Sequence, residues 1–213
     1  MIECLVGSEM CIRDRIGEMS CNPAIGGIGK SHLAKEVDAL GGIMARATDK
    51  AGIHYRVLNA TKGQAVRATR VQTDRQLYKN AVQQILLNSE NLTIKDASIV
   101  DFNIKNSVIK SVITETGEEI FGSAIILTTG TFLGGVLHTG LDQSSGGRLG
   151  EPSSDKLAKK LRSLNLKVGR LKTGTPPRLN KKSIDWSVLE PQPGDTPTPL
   201  LSYVSQPDER PEQ

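Results

Sequence analysis

The chain has 213 residues, of which 37% are apolar and 23% are charged, and its net charge at pH 7 is +4. Counting its 21 glycines as apolar and omitting its 3 tyrosines brings the apolar share to about 45%, an ordinary value for a globular domain. These values exclude collagen-like, low-complexity and wholly disordered proteins. The longest uncharged run, 120–141, contains five glycines and is not typical of a membrane span.

Residues 1–15 have neither helical nor strand periodicity and lack the features of a signal peptide. We interpret them as a foreign or mistranslated leader. All three cysteines, Cys4, Cys11 and Cys21, lie at this end of the chain. This odd, clustered set indicates neither a disulfide framework nor a zinc site, so we expect a reducing compartment and no metal centre.

A glycine-rich loop, SCNPAIGGIGKSH from Ser20, runs into a predicted helix in which Leu33, Val37, Leu40 and Met44 follow helical spacing. The glycine pair 41–42 weakens the end of this helix.

The GIGKS string at 27–31 is similar to the end of a phosphate-binding P-loop. That motif requires glycine where Ala24 stands, and a preceding strand is not indicated. What remains is a glycine-lined helix N-terminus, whose free N–H groups suit an anion or a cofactor edge. A tight helix-packing turn is the alternative.

The elements that follow alternate between helix and strand. A turn is predicted at 59–63, and Thr73 is predicted to cap a helix that runs to about Asn88. Runs rich in β-formers predict four strands, at 92–94, 99–104, 108–114 and 119–121.

The apolar run that starts at Ala124 predicts a buried strand, which ends at the TTGT turn of 128–131. Ser153 or Ser154 then caps a helix with leucines on one face. Residues 191–213 hold six of the ten prolines, which predicts an extended crossover or a frayed end.

Positive charge is concentrated between Glu151 and Lys182, where ten residues are basic and two are acidic. This segment carries +8, so the rest of the chain sums to −4. Such a local field suits a phosphate-rich partner, although a solvated helix face followed by a basic loop would have the same composition.

Taken together, five strings resemble one family, the GidA/MnmG family, and the resemblance covers about residues 19–206. The strings are MSCNPAIGGIGKSHLAKEVDALGG, KGQAVRATRVQTDR, LTTGTFLGG, SGGRLGEPSS and GRLKTGTPPR, at 19–42, 62–75, 127–135, 145–154 and 169–178.

The resemblance implies an FAD-dependent enzyme that installs the carboxymethylaminomethyl or aminomethyl group on C5 of the tRNA wobble uridine, U34. The implied fold is an α/β, FAD-binding Rossmann-like domain of the glutathione-reductase type, with an inserted β-meander and a mixed segment. The predicted organisation is a leader at 1–15, a partial FAD-binding domain at 16–150, an inserted basic helix-loop segment at 151–190 and a Pro-rich extended end at 191–213.

The resemblance also implies partners and co-substrates. The full-length family enzyme uses NADH and methylenetetrahydrofolate, forms a homodimer and meets the GTPase MnmE through a helical C-terminal domain. We expect no membrane association. We expect a bacterial protein to be cytoplasmic, and a eukaryotic one to be mitochondrial or plastid.

This chain departs from the family pattern at both ends. Family members begin with a strand and a G-G-G-H-A-G loop, where this chain has the odd leader, and the chain stops after about the N-terminal third. We therefore expect a fragment that is inactive alone.

Within the resemblance, Cys21 matches the cysteine beside the flavin, implied to act as a nucleophile or as an acid/base in the uridine chemistry. Ile99 and Ser154 fall where the family contacts FAD, and Thr129, Gly130 and Thr131 form a second turn on the cofactor side. The candidate contacts to tRNA phosphate or flavin pyrophosphate are Arg67, Arg70, Arg75, Lys172, Arg178 and, unless it only caps its helix, Lys30.

Two other interpretations stay open. One is the sister folate- and FAD-dependent tRNA uridine methyltransferase, although the long GGIGKSH and KTGTPPR strings favour the first family. The other is a non-catalytic RNA-binding remnant that depends on the basic segment.

Overall fold

The computed structural model describes residues 4–6, 15–19, 22–148, 150–164, 166–174, 177, 179–207 and 211. The chain forms two compact units. Unit 1 combines Met1–Arg15 with Thr93–Lys172, and unit 2 combines Ile16–Leu92 with Thr173–Gln213. Of the boundaries between the two units, only the one after Arg15 coincides with a predicted segment boundary. The predicted segments stay a prediction.

Short helices alternate with small sheets, so the predicted α/β class is confirmed. In chain order the elements are β1 (Cys4–Val6), β2 (Ala24–Gly26), α1 (Lys30–Ala39), α2 (Met44–Asp49), β3 (Gly52–Leu58), β4 (Ala68–Thr73), α3 (Arg75–Leu87), β5 (Ile99–Lys105), β6 (Val108–Thr114), β7 (Glu119–Phe121), β8 (Ala124–Ile126), β9 (Val136–Thr139), β10 (Asp142–Ser145) and α4 (Asp155–Arg162).

Unit 2 is built on a three-stranded antiparallel sheet in the order β2–β4–β3. One face is apolar, because Tyr55 and Val71 pack there with Ala45 and Leu201. The sequence did not predict β2. It did not predict β3 or β4 either, because the stretch 54–75 is rich in polar and basic side chains. The strands carry that polarity on the second face of the sheet, since successive side chains point to opposite faces.

Helix α3 begins one residue later than predicted. Thr73 ends β4, and its hydroxyl donates to the carbonyl of Pro23 at 3.1 Å. The N-cap is Asp74, whose carboxylate accepts from the Leu77 N–H at 2.9 Å. The buried face of α3 is formed by Tyr78, Ala81 and Val82.

Helix α1 ends at Ala39, close to the glycine pair, and α2 starts after it. Its apolar spacing is that of a helix, but the stripe faces outward: Leu33 is 64% exposed and Leu40 is 89% exposed. The buried face carries Ser31, Ala34 and Asp38 instead.

Two buried carboxylates hold the downstream segment of unit 2. The N–H groups of Leu201 and Ser202 donate to the two carboxylate oxygens of Asp49 at 2.9 and 2.8 Å. The Ser202 hydroxyl and the Tyr203 N–H donate to the two oxygens of Asp38 at 2.7 and 2.9 Å. We call this group, Asp38 and Asp49 with residues 201–203, the carboxylate clamp. A frayed end is therefore wrong for residues 201–203.

Unit 1 contains the predicted meander β5–β6–β7, which is confirmed. The strand predicted at 92–94 is wrong, since those residues form no strand. The hairpin of β9 and β10 was not predicted. The core of the unit is formed by Phe102, Val112 and Leu157.

The strand predicted from Ala124 is present as β8, but it is not buried, because Ala124 and Ile126 are exposed. β8 pairs in parallel with β1, which lies in the predicted leader. Arg15 also forms an ion pair with Glu151. The foreign origin of residues 1–15 stays a prediction.

None of the described helices is long and apolar enough to span a membrane.

The clamp predicts a pH dependence. Burial raises the pKa of Asp49 above 3.8, and this effect exceeds the lowering by the N–H groups of Leu201 and Ser202. A pKa that is raised on folding contributes stability that is fully present below the unfolded pKa and is lost as pH rises through the folded pKa. The free energy of unfolding of the wild type, minus that of Asp49→Asn, should therefore decrease with rising pH from about 3.8, the ordinary pKa of the group.

Urea unfolding over a pH series measures this difference. We expect Asp49→Asn to cost about 1–3 kcal/mol, because its amide N–H groups cannot accept from the backbone. Asp142→Asn, at an exposed carboxylate, controls for the change in net charge. A stability difference that grows with pH would contradict the assignment.

Candidate functional site

The glycine-rich loop before α1 lies open to its surroundings. The N–H of Gly27 donates to the carbonyl of Thr69 at 2.9 Å, which ties the loop to β4. Gly27 and Gly29 have positive φ, and a Cβ at either would meet nothing within 4 Å. Helix α1 has no side-chain cap at Gly29 and no acidic residue in its first turn. The Ser31 N–H donates to the Gly27 carbonyl at 3.0 Å, and the other N–H groups of this first turn suit an anion.

Arg70 lies opposite Gly26 in the register of β2 and β4. Its side chain is half-buried, and its Nε is buried with no hydrogen-bond partner among the described residues. A buried donor without an acceptor is costly, and the accessible remainder of this half-buried side chain is the part that can contact a ligand oxygen.

In unit 1 the predicted turn 129–131 is joined to the start of α4 through Phe132. The Phe132 N–H donates to the carbonyl of Thr129 at 3.2 Å, and the Phe132 carbonyl accepts from the Ser154 N–H at 2.8 Å. Gly130 has a φ of 54°, which the tight turn requires. Ser154 is the N-cap of α4. The structure thus brings together Thr129, Gly130, Thr131 and Ser154.

Ile99 lies near the same part of unit 1. It begins β5 and packs against the core of Phe102, Val112 and Leu157. Leu157 belongs to the first turn of α4, the helix that Ser154 caps. The Ile99 side chain is therefore part of the core packing. A ligand would contact Ile99 through its backbone.

Four of the remaining predicted cations lie among the described residues, where they are spread along the chain and exposed. Lys30 begins α1 and Arg75 begins α3. Arg67 donates from Nε to the Lys62 carbonyl at 3.0 Å. Lys172 lies in unit 1, in a stretch without regular structure.

Cys21 and Arg178 lie outside the described residues. Within the described part of the chain, no group of three His, Cys, Asp or Glu side chains could hold a metal ion.

The model of the family "Glucose inhibited division protein A" matches residues 9–213. The chain belongs to the GidA family. Two solved structures of GidA from Aquifex aeolicus superpose on it with a TM-score of 0.87. The form II crystal has 41% sequence identity and the form I crystal has 44%. Both comparisons cover 96% of this chain, but only 37% and 33% of the Aquifex chains. The chain therefore spans about a third of the length of these GidA structures.

The described residues fit the FAD that GidA membership implies. The backbone before α1 has open space around Gly27 and Gly29, and Arg70 adds a half-buried guanidinium opposite Gly26. Both features suit a phosphate-bearing dinucleotide. Unit 1 has a polar turn of its own, formed by Thr129, Gly130, Thr131 and Ser154.

Sequence reasoning missed the residues that fix this second turn. The Thr131 hydroxyl donates to the Gly147 carbonyl at 2.8 Å, and a Cβ at Gly147 would overlap the Phe132 ring. Arg148 lies over that ring, 5.5 Å from its centroid, and forms an ion pair with Glu151 at 3.0 Å. Gly147, Arg148 and Glu151 lie in the SGGRLGEPSS string, whose three close glycines were the available signal.

The packing of Phe132 on Gly147 gives a matched pair of variants. Gly147→Ala should lower the free energy of unfolding by about 1–3 kcal/mol, because the added methyl group displaces a buried ring. Gly169→Ala meets nothing within 4 Å and should stay within about 0.5 kcal/mol of the wild type. Urea unfolding measures both, and equal stabilities of the two variants would contradict this packing.

Proposed function

We propose that this chain is part of an FAD-dependent tRNA-modifying enzyme that installs the carboxymethylaminomethyl or aminomethyl group on C5 of wobble uridine U34. The observation that carries the proposal is the GidA family match over residues 9–213, together with the superposition on Aquifex aeolicus GidA. The open glycine loop before α1 and the half-buried guanidinium of Arg70 support a phosphate-bearing cofactor.

In this proposal, Cys21 acts on the substrate uridine. Its thiolate adds to uracil C6, which makes C5 nucleophilic. A helix N-terminus and a nearby cation both favour the thiolate, and Cys21 precedes α1 and Lys30 in the sequence. When bound, the flavin supplies the redox step. NADH would reduce it, and methylenetetrahydrofolate would give the one-carbon unit.

The other predicted site residues would bind and orient the cofactor and the RNA. Ile99, Thr129, Gly130, Thr131 and Ser154 would contact FAD, and the exposed cations would contact phosphates of tRNA. Because the chain spans about a third of the Aquifex GidA chains, the remaining parts of the enzyme would supply the homodimer and the contact with the GTPase MnmE. We propose that the chain alone is inactive, and that the enzyme works in the bacterial cytoplasm or, in a eukaryote, in mitochondria or plastids.

A chimera tests the proposal. Residues 19–206 of this chain replace the matching segment of Aquifex aeolicus GidA, and mass spectrometry of the nucleosides reports the product at U34. We expect an aminomethyl-type adduct. A methyl group at C5 would instead support the sister methyltransferase, and tRNA binding without bound flavin or product would support an RNA-binding remnant.

Cys21→Ser in this chimera should lower the modification rate by at least about 100-fold, the smaller end of what a positioned acid or base contributes. The flavin absorbance should be retained, because the thiol serves the uridine. The control is Ser187→Ala in the same chimera, at an exposed serine of the exchanged segment, and it should leave the rate unchanged. Full activity of Cys21→Ser would remove this residue from the mechanism.

A further inference from the structure

The face that helix α4 turns to solvent in unit 1 is basic. Leu157 and Ala158 form the buried face of the helix. The polar residues of the helix are Asp155 at its start and four cations, Lys156, Lys159, Lys160 and Arg162. Asp155 accepts from the Ser153 hydroxyl at 2.7 Å and lies in the first turn, where a carboxylate is favourable. Beyond this first residue, the solvent face of α4 carries only positive charge.

One of the four cations has a carboxylate partner. Lys160 forms an ion pair with Asp101 of β5, with Nζ 2.8 Å from the carboxylate oxygen. Among the described residues, no ion pair is formed by Lys156, Lys159 or Arg162. Residues three apart on a helix are neighbours, so these three side chains form a row of unmatched positive charges.

A second arginine joins this row at Gly134. The exposed Arg170 donates from Nη1 to the Gly134 carbonyl at 3.1 Å. Arg162 reaches the same residue, because a Cβ at Gly134 would lie 3.3 Å from Arg162 Nη2. In the described part of the chain, no carboxylate forms an ion pair with Arg170 either. Two like charges thus converge on one neutral carbonyl, and an anion bound between them would remove their repulsion.

We propose that Lys156, Lys159, Arg162 and Arg170, which we call the basic ridge, are a docking surface for the phosphodiester backbone of RNA. The four cations donate to phosphate oxygens, and the bound phosphates offset the repulsion within the ridge. Residues 151–182 contain no aromatic side chain, so this part of the chain has nothing to stack on a base. The ridge therefore contributes affinity that depends on salt and not on the RNA sequence.

The packing of α4 favours RNA over an anionic membrane surface. A helix that lies on a membrane turns an apolar face to the lipid. The leucines of α4 are not available for this, because Leu157 is fully buried and Leu161 packs against the core of unit 1. That the RNA is a tRNA rests on the proposed function, whereas the ridge itself rests on its charge and its geometry.

Acetylation of the lysines in the wild-type 213-residue chain tests the ridge without any substitution. Unmodified tRNA is the probe, and mass spectrometry measures the acetylation of each lysine. We expect tRNA to protect Lys156 and Lys159, and excess potassium chloride to abolish this protection. Lys105 and Lys110, which are exposed on the meander of the same unit, should stay reactive. Equal protection of the four lysines, or none, would overturn the proposal, and so would protection by phosphatidylserine vesicles but not by tRNA.

Two matched double variants measure the salt dependence of tRNA binding. Lys156→Gln/Lys159→Gln changes the ridge, Lys105→Gln/Lys110→Gln is the control, and each removes two exposed positive charges. The ridge variant should bind tRNA about 2- to 30-fold more weakly, the effect of two exposed ion pairs. Its slope of log Kd against log[KCl] should fall by about 1–2. The control should keep the wild-type affinity and slope, and equal losses in both variants would contradict the proposal.

The arginines of the ridge separate this proposal from the proposed function. In the GidA chimera, Arg162→Gln/Arg170→Gln should raise the KM for tRNA and leave kcat unchanged, because it removes binding that is equal in the ground state and the transition state. An unchanged KM would overturn the ridge and leave the proposed function standing. An inactive chimera, with lysine protection retained in the 213-residue chain, would count against the proposed function and support the ridge.

Discussion

The carboxylate clamp is the constraint on which unit 2 depends. Asp38 and Asp49 stand on consecutive helices, and each uses both oxygens to hold groups of residues 201–203. No cation is needed, because backbone N–H groups and one hydroxyl supply four donors to the two buried carboxylates. The clamp carries Leu201 into the core with Tyr55 and Val71, so the apolar face of the sheet closes only when the downstream segment is in place.

The clamp also explains the orientation of α1. A helix of this length can turn only one face inward, and Asp38 must face inward to reach Ser202. The apolar stripe that contains Leu33 and Leu40 is therefore turned outward. The N-cap of the same helix is Gly29, and a Cβ at this residue would meet no other atom within 4 Å. The polar contact thus decides both the buried face of α1 and the position of its open N-terminus.

The sequence predicts those parts of the fold whose signals are local. The β5–β7 meander has β-rich runs between short turns, and the α4 helix has leucines at helical spacing after Ser154. The strands β3 and β4 were missed because one face carries His54, Arg56 and Arg70, which break the expected apolar alternation. Strand propensity is a weak guide where one face is charged.

The candidate site was predictable only where a family motif covers it. The 129–131 turn and Ser154 were found separately, but their connection through Phe132 depends on hydrogen bonds across more than twenty residues. The clamp is more distant still, since its partners lie more than 150 residues apart. Hydrogen exchange of the Leu201, Ser202 and Tyr203 amides tests it most directly. The account predicts that they exchange as slowly as the core amides of β3 and β4, and exchange as fast as that of the exposed segment 179–190 would contradict it.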